Sequence, residues 1–203
     1  MSHPSIVVFD VGNVLIDWDM RLVYRPMFND DAAMERFIEE TDLVAWNYEQ
    51  DRGRSWLDAE ELLIGQFPHF KKEILAFRAQ WDDMVPGALP DTVDLFRILK
   101  RNNVPLYAIT NFETEMFERA RARFDFLNHF IDVVVSATEK MVKPDTEIYQ
   151  LLLDRNNLKA SDCLFVDDKL ENIEACEIVG MVGHHFVDAN GLKTDLLKHG
   201  FAV

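Results

Sequence analysis

Ile6-Val7-Val8-Phe9-Asp10-Val11-Gly12-Asn13-Val14-Leu15 is the stretch on which the fold turns. Its first four residues are apolar, rich in β-branched side chains and free of polar alternation, as a parallel strand buried on both faces requires. The run stops at Asp10, and Gly12-Asn13 follows with residues suited to a turn. Three runs of the same kind lie far downstream, at 105–109, 131–135 and 163–166, with a weaker one at His185-Phe186-Val187. Between them the spacing predicts helices. Residues 91–101 carry Val93, Phe96, Ile98 and Leu99 on one side, and 113–124 is charged and amphipathic. Residues 145–156 begin right after Pro144, and 172–179 run up to Gly180, a natural helix stop. Strand and helix in alternation predict an α/β fold, a Rossmann-like doubly wound parallel sheet.

The interval between the first strand and Pro86 breaks the alternation. Roughly 70 residues are far too many for one crossover helix. Segments 31–41, 43–50, 55–67 and 69–84 all show charged and apolar residues at helix spacing, and Ser55 with Asp58 makes an acceptable helix start. The expected organisation is a core of residues 1–16 and 86–203 with an inserted helical cap, 17–85.

Length and composition set the outer bounds. A chain of 203 residues suits one principal core plus an insertion, and 48% hydrophobic with 28% charged residues excludes a disordered chain. Lys+Arg 21 against Asp+Glu 36 gives a net charge of −15, which argues against nucleic acid or an anionic membrane as partner. No apolar run approaches the ~20 residues of a membrane span, and the first residues lack a signal-peptide pattern. Cys163 and Cys176 lie in apolar segments and read as reduced core thiols, so a cytoplasmic protein is expected.

Ligands of open parallel sheets bind beyond the carboxyl ends of the strands. There the sequence places Asp10, then Thr110-Asn111, then Lys143-Pro144-Asp145, then Asp167-Asp168 with Asn172 a turn later. Each has an ordinary structural use as well. Asp10 is suited to cap a turn, Thr110-Asn111 to cap a helix, Lys143 to sit in a solvated turn, and Asp167-Asp168 to start a helix near Leu170. Together they form a charge pattern: three carboxylates repel one another unless a cation and a lysine join them. Hard oxygen ligands of this kind suit Mg²⁺, which usually keeps several waters and a phosphate oxygen.

The four segments Phe-Asp-Val-Gly-Asn-Val-Leu, Ile-Thr-Asn, Lys-Pro-Asp and Phe-Val-Asp-Asp-Lys-Leu-Glu-Asn-Ile resemble, in order, the motifs of the haloacid dehalogenase superfamily. The resemblance covers 6–15 and 85–187; the cap is similar only in position and composition. It implies a Mg²⁺-dependent phosphatase acting on a small phosphorylated metabolite. Asp10 would be the nucleophile that forms an aspartyl-phosphate. Thr110 and Asn111 would donate to the phosphoryl oxygens, and Lys143 would neutralise charge on both the phosphoryl group and Asp10. Asp10, the Gly12 carbonyl, Asp168 and Asp167 would hold the metal.

Most phosphatases of the superfamily carry a second Asp two residues after the nucleophile as general acid and base. This chain has Gly12 there. The metal keeps its carbonyl ligand, but proton transfer loses its carrier. A similar opening, Asp-Leu-Gly-Asn-Val, belongs to a branch that resembles sugar-1-phosphate phosphatases, so a sugar phosphate with an acidic anomeric leaving group is expected. Asp17 and Asp19 are near enough in sequence to be substitute acids, though solvated linker or helix start describes them better.

The alternatives are a 2-haloacid dehalogenase, in which Asp10 attacks carbon and needs no metal, and a non-catalytic phosphate-binding module. Asp167-Asp168 argues against the first; only Gly12 favours the second. Remaining candidates have plainer uses. His184-His185 point to opposite faces of a strand and read as edge or surface. Trp46, Trp56 and Trp81 read as cap core, Arg52 and Arg54 around Gly53 as solvated surface, and 118–123 as a charged helix face.

Overall fold

The computed structural model describes residues 3–203. Five strands form one sheet: β1 (Ile6–Phe9), β2 (Leu106–Thr110), β3 (Val133–Val135), β4 (Cys163–Asp167) and β5 (Val182–His185). Their order is β3-β2-β1-β4-β5, and every pairing is parallel. The helices are α1 (Arg21–Tyr24), α2 (Asp31–Glu40), α3 (Leu43–Asp51), α4 (Trp56–Gln66), α5 (Lys71–Ala79), α6 (Pro90–Arg101), α7 (Thr114–Arg123), α8 (Ser136–Glu139), α9 (Thr146–Asn156), α10 (Leu170–Ile178) and α11 (Ala189–Lys198).

The uninterrupted apolar runs are explained by cover on both faces. Val8, Tyr107, Ile109, Val134 and Phe165 pack with Ile148, Tyr149 and Leu152 of α9 and Ile173 and Cys176 of α10. Val7, Phe9, Leu106, Ala108 and Val166 face the other way, onto Phe96 and Leu99 of α6, Phe117 of α7 and Leu192 of α11. Alternate residues of one strand therefore feed two separate apolar layers. This is the doubly wound α/β sheet of the sequence reading.

Helices α1–α5 all lie between β1 and α6. The outgoing and returning chains run side by side at the base of this insertion: Asp17 N donates to Gly87 O at 2.9 Å and Leu89 N to Leu15 O at 2.9 Å. Trp46 and Trp56 are buried within the insertion, with ring centroids 5.9 Å apart, and Trp46 stands edge-on to Phe77 at 5.4 Å. Trp81 instead packs on Phe112 of the sheet side at 5.6 Å. Cys163 and Cys176 are free and buried. Among the described residues no helix is long and apolar enough to cross a membrane.

Several segments differ from their expected extent. The last strand is Val182–His185, and Phe186-Val187 falls beyond it. Gly183 and two histidines hide the strand in sequence, yet a Cβ at Gly183 would lie 2.5 Å from Ile173 Cγ2, so only glycine lets β5 lie against α10. The expected 69–84 helix is broken into a turn of 3₁₀ helix at Pro68–Phe70, then α5, then a second 3₁₀ turn at Trp81–Met84. Helix α11 has a legible start in Asp188, whose carboxylate accepts from Gly191 N at 2.8 Å, and a core face in Leu192 and Leu196.

Candidate active site

The strand register brings the carboxyl ends of β1, β2 and β4 to one level. Phe9 pairs with Ala108 on one side and Val166 on the other, which sets Asp10 beside Asp167. This is where the strand order reverses around β1, the place where open α/β sheets leave a crevice. Asp10, Asp167 and Asp168 each offer a carboxylate oxygen, and the three oxygens lie within 4.8 Å of one another. Asp10 and Asp168 line a cavity of about 560 Å³ between sheet and helical insertion, and Asp167 lies buried behind them. A second cavity of about 420 Å³, beside α6 and Phe124–His129, contains none of them.

Lys143 joins the cluster. Its Nζ lies 2.8 Å from Asp10 Oδ1 and 2.7 Å from Asp167 Oδ2, and its side chain is 1% exposed. Burial alone would lower the pKa of the ammonium, but Asp10 and Asp167 outweigh burial and hold it above the ordinary lysine value. Asp10 is also pushed up. Burial raises its carboxyl to about 7, Lys143 opposes this, and Asp167 and Asp168 add to it. Burial and Asp167 likewise raise Asp168. Asp10 Oδ1 also accepts from Val11 N at 2.7 Å, so two donors converge on one of its oxygens.

Asp167 is fully buried and accepts from three donors: Lys143 Nζ, Lys169 N at 2.8 Å and Asn172 Nδ2 at 2.9 Å. It anchors Lys143 and keeps one lone pair in reserve. Three carboxylates against one lysine leave excess negative charge. Asn172 Oδ1, on a residue that lines this cavity, is buried with no hydrogen-bond partner. A hard divalent cation with its bound waters would balance that charge and satisfy this oxygen, so the residues fit Mg²⁺.

Asn111 lines the cavity, and its side-chain amide is also tied to the neighbouring backbone: Nδ2 donates to Lys143 O at 2.9 Å and Oδ1 accepts from Lys143 N at 2.8 Å. Paired this way, the amide clamps the Lys143 backbone. Thr110 closes β2, buried beside it. His185 is on the edge strand, as its sequence position suggests, but it is not idle there: its Nε2 meets Asp168 O at 3.0 Å and steadies the loop that carries the Asp168 carboxylate.

The insertion is docked onto this cluster. Tyr48 Oη of α3 donates to Lys143 O at 2.9 Å, and Arg52 lies 3.5 Å from Asp145. Arg54 is no solvated side chain either: it donates to Gln50 Oε1 and to Trp46 O, both at 2.7 Å, and closes the end of α3. Arg119 and Arg123 of the charged α7 face bind Asp82 and the Val85 carbonyl, tying down the returning chain. Gly53 holds φ +96°, and a Cβ there would stand 2.9 Å from Ala137 O. Gly53→Ala is expected to destabilise the protein by about 1–2 kcal/mol in urea unfolding, since both the dihedral and the close approach demand glycine. Unchanged stability would mean that this loop moves freely off α8.

A family model described as haloacid dehalogenase-like hydrolase matches residues 4–180. The chain belongs to this family. The fold is also found in a predicted haloacid dehalogenase-like hydrolase of Porphyromonas gingivalis, 19% identical, with TM-score 0.74 over 97% of this chain and 99% of that one. It recurs in a family enzyme of Bacteroides thetaiotaomicron solved with magnesium and inorganic phosphate, 19% identical, with TM-score 0.65 over 89% of this chain and 93% of the other. A curated relative, the sesquiterpene phosphatase astK of Aspergillus oryzae, is 32% identical over 184 residues, 90% of this chain and 89% of its own length. The protein is therefore a haloacid dehalogenase-like hydrolase, and its parallel sheet with surrounding helices is the fold of that family.

Two features of this hydrolase were not read from its sequence. One is the stripe Val44, Asn47, Tyr48 and Asp51 of α3, which lines the cavity. Its spacing of i, i+3, i+4 and i+7 is legible, but Leu43, Trp46 and Gln50 on the other side are the buried set, so hydrophobicity alone points the wrong way. The other is the apolar wall formed by Trp18, Met20, Trp56, Trp81, Phe112 and Met116.

Proposed function

We propose that this hydrolase is a magnesium-dependent phosphatase that removes the phosphate of a small monoester through an aspartyl-phosphate on Asp10. One observation carries the reading: three carboxylates and a buried lysine converge, and Asp10, Asp168 and Lys143 of that cluster open onto one cavity. Lys143 and Val11 N hold one Asp10 oxygen, which fixes the carboxylate and leaves the other oxygen to attack phosphorus. Lys143 would neutralise charge on the transferring phosphoryl group and the Thr110 hydroxyl would donate a hydrogen bond to it, while Asn111 and Tyr48 keep the Lys143 backbone in place. Mg²⁺ held by Asp10, Asp168, Asp167 and the Gly12 carbonyl would screen the charge between nucleophile and phosphate. Residues 17–85 act as the cap that keeps water from the first displacement, over a core of 1–16 and 86–203.

For the rest of the substrate we favour an apolar alcohol over a sugar. The wall of tryptophan, phenylalanine and methionine side chains suits a hydrocarbon body, and the similarity to a sesquiterpene phosphatase points the same way. The reduced, buried thiols support a cytoplasmic setting. A dehalogenase would use the same Asp10 and could keep an anchor for Lys143, but it has no task for a second carboxylate at Asp168 that completes a metal site.

The test is phosphate release from a panel of p-nitrophenyl, sugar and prenyl or alkyl monoesters, with Mg²⁺ and with EDTA. We expect release that EDTA abolishes, with kcat/KM highest on apolar esters. A preference for sugar phosphates would overturn the apolar substrate; chloride release from 2-chloropropionate without phosphatase activity would overturn the reaction itself.

A further inference from the structure

The proton carrier missing at Gly12 leaves a space as well as a chemical deficit. A Cβ built at Gly12 meets nothing within 4 Å, and Gly12 lines the cavity beside Asp10. Phosphate transfer to Asp10 still needs a proton for the departing oxygen, and the second displacement needs a base for water. Asp17 and Asp19, the acids nearest in sequence, are not in position. Asp17 is exposed, Asp19 is bound to Arg21, and neither lines the cavity.

Outside the metal cluster four carboxylates do line it: Asp42, Asp51, Glu113 and Glu171. Asp42 and Glu171 are exposed. Glu113 is occupied, accepting from Met116 N at 3.1 Å to cap α7. Asp51 remains. It is half-buried, stands on the cavity stripe of α3, and has no side-chain hydrogen bond or ion pair to another described residue. It is also the last residue of that helix, where the negative end of the backbone dipole disfavours a carboxylate and favours the protonated acid.

We propose that Asp51, delivered by the cap, is the general acid and base of this active site, a catalytic residue standing in for the one absent at Gly12. It rests on the phosphatase reading given above. In the first displacement Asp10 attacks phosphorus, the bond to the ester oxygen breaks, and that oxygen takes the proton of Asp51. In the second, the Asp51 carboxylate removes a proton from water as its oxygen bonds to phosphorus, the bond to Asp10 breaks, and inorganic phosphate leaves. Asp51 thus ends protonated and Asp10 ends as a carboxylate, as both began. Burial pushes the Asp51 carboxyl up to about 7; Lys169 and Lys143 pull it down, while Glu113 and Asp10 push it further up. A group near neutrality is suited to both tasks. Because α3 also carries Tyr48, which bonds to Lys143 O, the acid and the lysine are brought together by the same docking of the cap. An acidic leaving group is then no longer required.

The experiment compares kcat/KM for p-nitrophenyl phosphate and for an alkyl phosphate of similar size in wild type, Asp51→Asn, Asp51→Glu and Asp51→Asn combined with Gly12→Asp. Nitrophenolate leaves without a proton and an alkoxide does not. We expect Asp51→Asn to lower the alkyl value by about 10²–10⁴-fold and to change the aryl value by less than about tenfold. Activity on the alkyl ester should be kept in part by Asp51→Glu, and restored in part when Gly12→Asp is added to Asp51→Asn. An equal fall on both esters, or no fall on the alkyl ester, overturns the proposal while leaving the phosphatase reading intact. Wild type that releases phosphate from neither ester overturns both.

Discussion

Asp10→Asn should lose on the order of 10⁴-fold or more in kcat on every phosphate ester the wild type accepts, with the fold retained. The substitution keeps the volume and keeps an oxygen for Val11 N and Lys143 Nζ, which lie 2.7 and 2.8 Å from Asp10 Oδ1. It removes the nucleophile and one of three clustered negative charges. Wild type should also gain thermal stability on addition of millimolar Mg²⁺, because a ligand that binds only the folded state raises its melting temperature. Asp10→Asn should show a smaller gain. The measurements are steady-state turnover and a melting curve with and without Mg²⁺. Retained turnover in Asp10→Asn would remove the aspartyl-phosphate from the mechanism.

Lys143→Met should abolish activity and, unlike the first variant, also destabilise the protein by about 3–5 kcal/mol. Asp167 is wholly buried, and Lys143 is the cation bonded to it. With the ammonium gone, Asp167 keeps its hydrogen bonds from Lys169 N and Asn172 Nδ2 but loses its countercharge, and Asp10 loses the same partner. The cost should therefore be non-additive. Asp167→Asn placed in the Lys143→Met background should recover much of the stability and none of the activity. Urea unfolding of the two single variants and the double variant measures this. If Lys143→Met were as stable as wild type, Lys143 would not be the countercharge of Asp167.

Much of this site is legible in the sequence alone. Asp10, Lys143, Asp167 and Asp168 each follow an apolar run or a turn in an order that implies a common rim, and the structure gathers the three carboxylates within 4.8 Å. Asn111 was legible as a site residue but not as a clamp on Lys143, because nothing local to Ile-Thr-Asn encodes a partner 32 positions away. His185 was set aside because two adjacent histidines cannot chelate from one strand; its bond to the Asp168 carbonyl depends on β5 pairing with β4. Asp51 was missed altogether. An acid near the end of a charged helix looks like any solvated acid until the insertion is seen lying over the cavity.

By itself the chain's amino-acid order determined a parallel sheet covered on both faces, a helical insertion after its first strand, and acids at the strand ends. These are properties of neighbours and short periods: unbroken β-branched runs demand two apolar layers, and the acids come where those runs stop. Tertiary structure alone decided which groups share a charge, which oxygens stay free, and which face of α3 looks into the cavity. Coulomb energy and desolvation depend on distance and enclosure, and Asp10 and Lys143 become partners only when segments more than a hundred residues apart lie side by side.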